Sequence, residues 1–173
     1  MATNETSLRE SIPLDKSKVI KKTITSIGGT VIILLFFAVF LLMPVMSTAL
    51  NFLWYIIMGI VLVVVITVVI AYFYQLEYFK RYFYDSKDGF LIIKKGVILP
   101  KETTLPFEKL NDVYVDQDIF DRLFGLYDVH FSTATEASGL AAHIDGVTKE
   151  NAGKLRDLIL KEIKDAVKSS RGR

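Results

Sequence analysis

Residues 23–76 read TITSIGGTVIILLFFAVFLLMPVMSTALNFLWYIIMGIVLVVVITVVIAYFYQL, a run without a single Asp, Glu, Lys, Arg or His. A bilayer core of about 30 Å takes about 20 apolar residues per helix, so the run has room for two spans and a turn. The first helix is expected at about Ile24–Met46 and the second at about Phe52–Tyr74. Ser47-Thr48-Ala49-Leu50-Asn51 then makes the turn. Pro44 suits a helix about to stop. Backbone groups in lipid must be satisfied internally, and a helical hairpin does that. A cleaved signal peptide is the competing reading, because Ser47-Thr48-Ala49 resembles a small-residue cleavage site. Its apolar region would be about 7–15 residues, shorter than this one, so the hairpin is preferred.

The flanks set the orientation. Lys16, Lys18, Lys21 and Lys22 precede the first span, Lys80 and Arg81 follow the second, and the turn is uncharged. The positive-inside bias places both termini in the cytoplasm, on a two-pass protein of the cell membrane. Lys18, Lys21, Lys22, Lys80 and Arg81 are the candidate contacts to lipid headgroups, each worth up to about 1 kcal/mol near an anionic surface. That is anchoring rather than recognition. Trp54, Tyr55, Tyr72, Phe73 and Tyr74 fall where interfacial aromatic belts lie. The spans carry no ionisable side chain, which argues against a proton relay or a charged transport pathway. Gly28, Gly29 and Gly59 read as ordinary membrane glycines rather than as a helix-packing motif.

Beyond the run, residues 77–173 carry 16 basic and 16 acidic side chains. That balance argues against a nucleic-acid binder, which needs a basic surface. The chain has no cysteine, so disulfides, thiolate catalysis and cysteine metal sites are excluded.

Here the pattern changes to short strands. Arg81–Asp85 and Phe90–Lys95 read as a hairpin around Ser86-Lys87-Asp88-Gly89. Gly96 and Pro100 punctuate the chain before a short strand at Thr103–Phe107. In Leu110–Gln117, Val113 and Val115 alternate with Tyr114 and Asp116, the period of a half-buried strand. Tyr127–Thr133 alternates in the same way, and Ala141–Val147 supplies a further strand. Between them Asp118 can cap a single helical turn, with Asp121 three residues on and Gly125 ending it. A helix from about Lys149 to Ser169 closes the chain with Thr148 as its N-cap. Ala152, Leu155, Leu158, Ile159, Ile163, Ala166 and Val167 form its apolar stripe. Antiparallel strands followed by one amphipathic helix need that helix to cover an open end or face of the sheet.

Gly96, Leu105-Pro106-Phe107, Lys109-Leu110, Val113, Val115, Gln117, Arg122-Leu123-Phe124-Gly125-Leu126, Val129, Phe131, Thr133 and Ala134 together resemble the bacterial pleckstrin-homology (PH) domain of the second subfamily. The resemblance covers about residues 78–168. It implies a seven-stranded, strongly bent antiparallel sheet capped by the C-terminal helix, in a family whose members often carry two transmembrane helices before the domain. The fold class expected is thus a membrane α-helical hairpin followed by a PH-like domain. The expected parts are a basic N-terminal segment (1–23), the hairpin (24–76), the PH-like domain (78–168) and a basic tail (169–173).

Candidate chemistry is sparse. Eukaryotic lipid-binding PH domains gather Lys and Arg at the first hairpin, whereas Lys87, Lys94 and Lys95 stand here beside Asp85 and Asp88 and read as a solvated loop. Asp112, Asp116, Asp118 and Asp121 lack the spacing, glycine and terminal glutamate of a calcium loop. A symmetric hairpin of the last two strands would pair His130 with His143 and Asp128 with Asp145 on one face. Two imidazoles and two carboxylates there could hold zinc or respond to pH, against the plain alternative of a solvated polar face. No nucleophile–base set, phosphate loop or metalloprotease motif occurs, so no catalytic residue, cofactor or metal is expected.

The function expected is a non-catalytic, membrane-tethered interaction or scaffold module. Its partners would be the bilayer and a membrane or cytoplasmic protein, including a second copy of the chain, with no nucleic acid. Capture would use a strand edge or the groove beside the C-terminal helix. A lipid- or envelope-stress-responsive sensor is the alternative, and an intramembrane enzyme is disfavoured.

Overall fold

The computed structural model describes residues 7–45, 50–133 and 142–171. The chain forms two compact units, one of Val19–Glu77 and one combining the residues up to Lys18 with those from Tyr78 onward.

The Val19–Glu77 unit is built from α2 (Ser17–Val45) and α3 (Leu50–Arg81), which follow a short α1 (Leu8–Ser11). Both helices outrun the expected spans. Gln75, Leu76, Glu77 and Lys80 are good helix formers with no Gly or Pro among them, so α3 continues to Arg81. A spanning segment ends where lipid ends, but a helix ends only where its backbone is stopped. Of the expected turn, Leu50 and Asn51 already belong to α3, and 47–49 lie outside the described residues. The helices contain stretches of 23 and 25 residues long and apolar enough to cross a membrane. Their large side chains point outward, with Phe36 70% and Met58 69% exposed. The hydroxyls of Thr23 and Thr67 donate to the carbonyls of Val19 and Val63, at 2.7 and 2.8 Å, so these polar groups are satisfied within their own helix.

The other unit holds two three-stranded antiparallel sheets, β1 (Phe83–Lys87), β2 (Phe90–Lys95) and β3 (Lys101–Pro106), then β4 (Leu110–Asp116), β5 (Leu126–Thr133) and β6 (His143–Thr148). The described residues thus form six strands where the resemblance implies seven. Only the 3-10 turn Phe107–Lys109 separates β3 from β4, which leaves no length for another strand between the sheets. The first strand starts at Phe83 because α3 still holds Arg81. Asp88 and Gly89 join β1 to β2 with φ of 53° and 81°, the doubly left-handed turn whose twist matches a two-residue hairpin. A capping box at Asp118 and Asp121 opens α4 (Ile119–Phe124), and Gly125 at φ 66° closes it.

The last helix, α5 (Lys149–Arg171), packs on β4, β5, β6 and the 3-10 turn. Thr148 Oγ1 accepts from Asn151 N at 3.3 Å at its start. Ala152, Leu155 and Ile159 enter one core with Val129, Phe131 and Ile144 of the second sheet and Tyr84, Leu91 and Ile93 of the first. Leu8, Ile12 and Leu14 belong to that core as well. The N-terminal segment up to Lys18 is therefore packed into this unit. Its backbone is tied down by Leu8 N to Asp85 Oδ1 (2.9 Å), by Asp15 N to Gly146 O (2.9 Å), and by Tyr84 Oη donating to Ile12 O.

Candidate functional site: two rows across the second sheet

In antiparallel register Tyr114 lies opposite His130, and His130 opposite His143. Directly paired residues share a face, so three rings form a row across β4, β5 and β6. Tyr114 and His130 stack with centroids 4.9 Å apart and planes 5° from parallel, and His130 and His143 with 5.4 Å and 19°. Two residues along each strand stands a carboxylate: Asp116, Asp128 and Asp145. Asp116 is opposite Asp128. On β6 a bulge sets both Asp145 and Gly146 against Asp128, because the register slips between Tyr127 and Val129 and Gly146 takes φ 78°. The pairing expected for Asp128 with Asp145 alone is thus replaced by a one-against-two arrangement.

Like charges side by side destabilise a sheet, and each carboxylate has its own compensation. Asp116 Oδ1 meets His130 Nε2 at 3.1 Å in a partly exposed pair. Asp128 Oδ1 accepts from Gly146 N at 2.9 Å. Asp145 is 3% exposed and its Oδ1 lies 3.0 Å from Lys18 Nζ, which also donates to the Asp145 carbonyl at 2.9 Å.

The Lys18 ammonium lies 3.7 Å from the centroid of the Tyr82 ring. Its stem rests on Gly146, where a Cβ would meet Lys18 Cδ at 2.5 Å. Tyr82 Oη donates to the His143 carbonyl at 3.1 Å, and Lys95 Nζ reaches the same oxygen at 2.6 Å. Burial, then the Asp145 charge, push the Tyr82 hydroxyl well above its ordinary pKa. Burial likewise pushes Tyr84 up to about 12, partly offset by Arg9.

Lys18, expected at lipid headgroups, is therefore buried 2% exposed in an ion pair. The reason is tertiary: Leu8, Ile12 and Leu14 carry the N-terminal segment into the core and bring Lys18 to β6. Lys21 is also buried and Lys22 half-buried, while Lys80 and Arg81 are exposed. Of the four residues proposed as a polar patch, His130, His143 and Asp128 stand together, and Asp145 is taken by Lys18. Asp116 completes the cluster instead. Ligand atoms of Asp116, Asp128 and His130 lie within 4.8 Å of one another, a geometry in which imidazole and carboxylates could share one divalent cation. Its sequence signal was the Tyr114–Asp116 alternation on β4, which needed the β4–β5 pairing to become legible. Asp118 and Asp121 serve the α4 capping box.

The chain matches the family described as Bacterial PH domain over residues 23–163. It belongs to that family. The match takes in α2 from residue 23 and all of α3 as well as the sheets, extending N-terminally past the 78–168 segment on which the resemblance was read and ending at 163 within α5. No curated protein and no solved structure matches the chain.

Proposed function

We propose that the protein is a membrane-tethered, non-catalytic interaction module of the bacterial PH family, held by α2 and α3 in the cell membrane with both termini in the cytoplasm. The observation that carries the reading is the α4 face. Ile119 is 79% exposed, Leu123 74% and Phe120 41%, on a short helix opened by its capping box and closed by Gly125. The unit already owns a closed core, so these side chains are not needed to hold it together. Exposed apolar clusters on such a scaffold serve as contact surface for a protein partner. The cleft beside α5 is a poorer candidate than the sequence suggested. It measures about 260 Å³ and is lined by Leu8 and Ser11 of the chain's own N-terminal segment, with Asp85, Ser86, Leu158 and Glu162.

Outward-facing apolar helices support the tether, since exposed Ile, Phe and Val in such numbers are at home in lipid. A photocrosslinking residue at Leu123 in the full chain, in cells, tests the partner surface. A defined product is expected that Ile119→Ser abolishes and that the same probe at Lys161 does not form. Equal products from both positions would defeat the α4 assignment. A C-terminal reporter active only in the cytoplasm tests the orientation, and external activity would reverse it.

A further inference from the structure

The β2–β3 connection, Gly96–Pro100, presents Val97, Ile98 and Leu99 in succession. Leu99 is 84% exposed and Ile98 79%, and among the described residues no large apolar side chain is more exposed than Leu99. The turn is built rather than slack. Gly96 takes φ 112°, and a Cβ there would lie 2.4 Å from the Leu99 carbonyl oxygen, so the chain doubles back over a position only glycine can fill. Pro100 fixes the exit.

Lysines bracket the tip. Lys94 and Lys101 are exposed, and Lys94 Nζ meets Glu102 at 3.1 Å. Lys95, half-buried, is fixed on the His143 carbonyl. The exposed charges flanking the apolar point are thus Lys94, Lys101 and Glu102, a net positive rim. A bilayer boundary needs no complementary shape, takes in apolar tips, and attracts the lysines around them through its anionic headgroups.

We propose that the Val97–Leu99 turn dips into the headgroup–acyl boundary of an anionic membrane, a second and independent lipid contact for the PH-like unit. The proposal rests on reading α2 and α3 as spans, which bring that membrane to every copy of the chain.

Tryptophan fluorescence of the full chain in phosphatidylcholine–phosphatidylglycerol vesicles tests both readings separately. The chain's one tryptophan, Trp54, reports on the spans. A W54F/I98W variant reports on the turn, and W54F/L99W repeats the measurement from the next position. Acyl chains brominated near the headgroup should quench the indole at 98 or 99, with a blue-shifted emission and loss of acrylamide access. Both effects should weaken in phosphatidylcholine alone. Quenching of Trp54 with an unquenched, acrylamide-accessible indole at 98 and 99 would overturn the turn proposal and leave the spans standing. An indole shielded from acrylamide yet untouched by brominated lipid would assign the tip to a second copy and overturn the lipid contact. If Trp54 itself escapes bromine quenching, the spanning reading falls and the turn proposal with it.

Discussion

Asp145 and Asp116 occupy the two ends of one row of carboxylates on the same sheet, and they are compensated in opposite ways. Asp145 is sealed under Lys18 and Tyr82, whereas Asp116 meets His130 at a surface where its own side chain is 56% exposed. The strands contribute the same residue type at equivalent positions. What differs is whether a further segment crosses that end of the face. The N-terminal segment covers Asp145, and nothing among the described residues covers Asp116 to the same depth. A charge under cover is strongly committed to its partner, while a charge in water is worth little to stability.

The largest effect should come from breaking the covered end. Lys18→Met removes the ammonium from a buried carboxylate and should cost the β unit about 3–5 kcal/mol. Much of that should return in K18M/D145A, which removes both charges together. Urea unfolding of the detergent-solubilised full chain measures it. A cost for Lys18→Met no larger than for a surface lysine would show that burial does not separate the two ends.

The inner face of the same sheet calibrates the scale. Ile159 and Phe131, both buried in the shared core, should each lose about 2–5 kcal/mol on truncation to Ala through lost burial and a cavity. Lys161→Ala, on the exposed side of α5, should stay within about 0.5 kcal/mol. Equal losses at Ile159 and Lys161 would mean that α5 does not close the sheets.

Alkaline titration tests the covering segment itself. Tyr84 donates to the Ile12 carbonyl and its hydroxyl is pushed up to about 12, against an unfolded value of about 10. The folded state thus keeps a proton that the unfolded chain has released. Stability should be insensitive to this group below pH 10 and fall as the pH rises from about 10 towards 12, levelling above. Tyr82 shifts in the same direction. The urea midpoint followed across that range should drop, and Tyr84→Phe should make the drop shallower. An unchanged slope in Tyr84→Phe would place the N-terminal segment's contact elsewhere.

The smallest effect belongs to the open end. His130→Ala removes a partly exposed contact with Asp116 and two ring stacks, and should change stability by about 1 kcal/mol or less. A loss matching that of Lys18→Met would erase the contrast between the ends.

The sequence by itself determined the two long apolar helices, the succession of short strands, the α4 cap and stop, the family, and the apolar stripe of α5. Each is written in local periodicity or in a single residue's backbone preference, and needs no distant contact to be read. The row of rings was legible only as far as His130 opposite His143, because one hairpin's register can be guessed from its own two strands. Asp116 required the β4–β5 pairing, and the slip at Asp145 required the bulge at Gly146, neither of which alternation alone specifies. Only the tertiary structure decided the fate of Lys18. In the sequence it is one of four lysines ahead of a span and reads as an anchor for headgroups. In the fold, three apolar residues upstream draw it into the unit, where it neutralises a carboxylate 127 residues away. A lysine's role depends on which surface closes over it, and no pattern of neighbours along the chain encodes that.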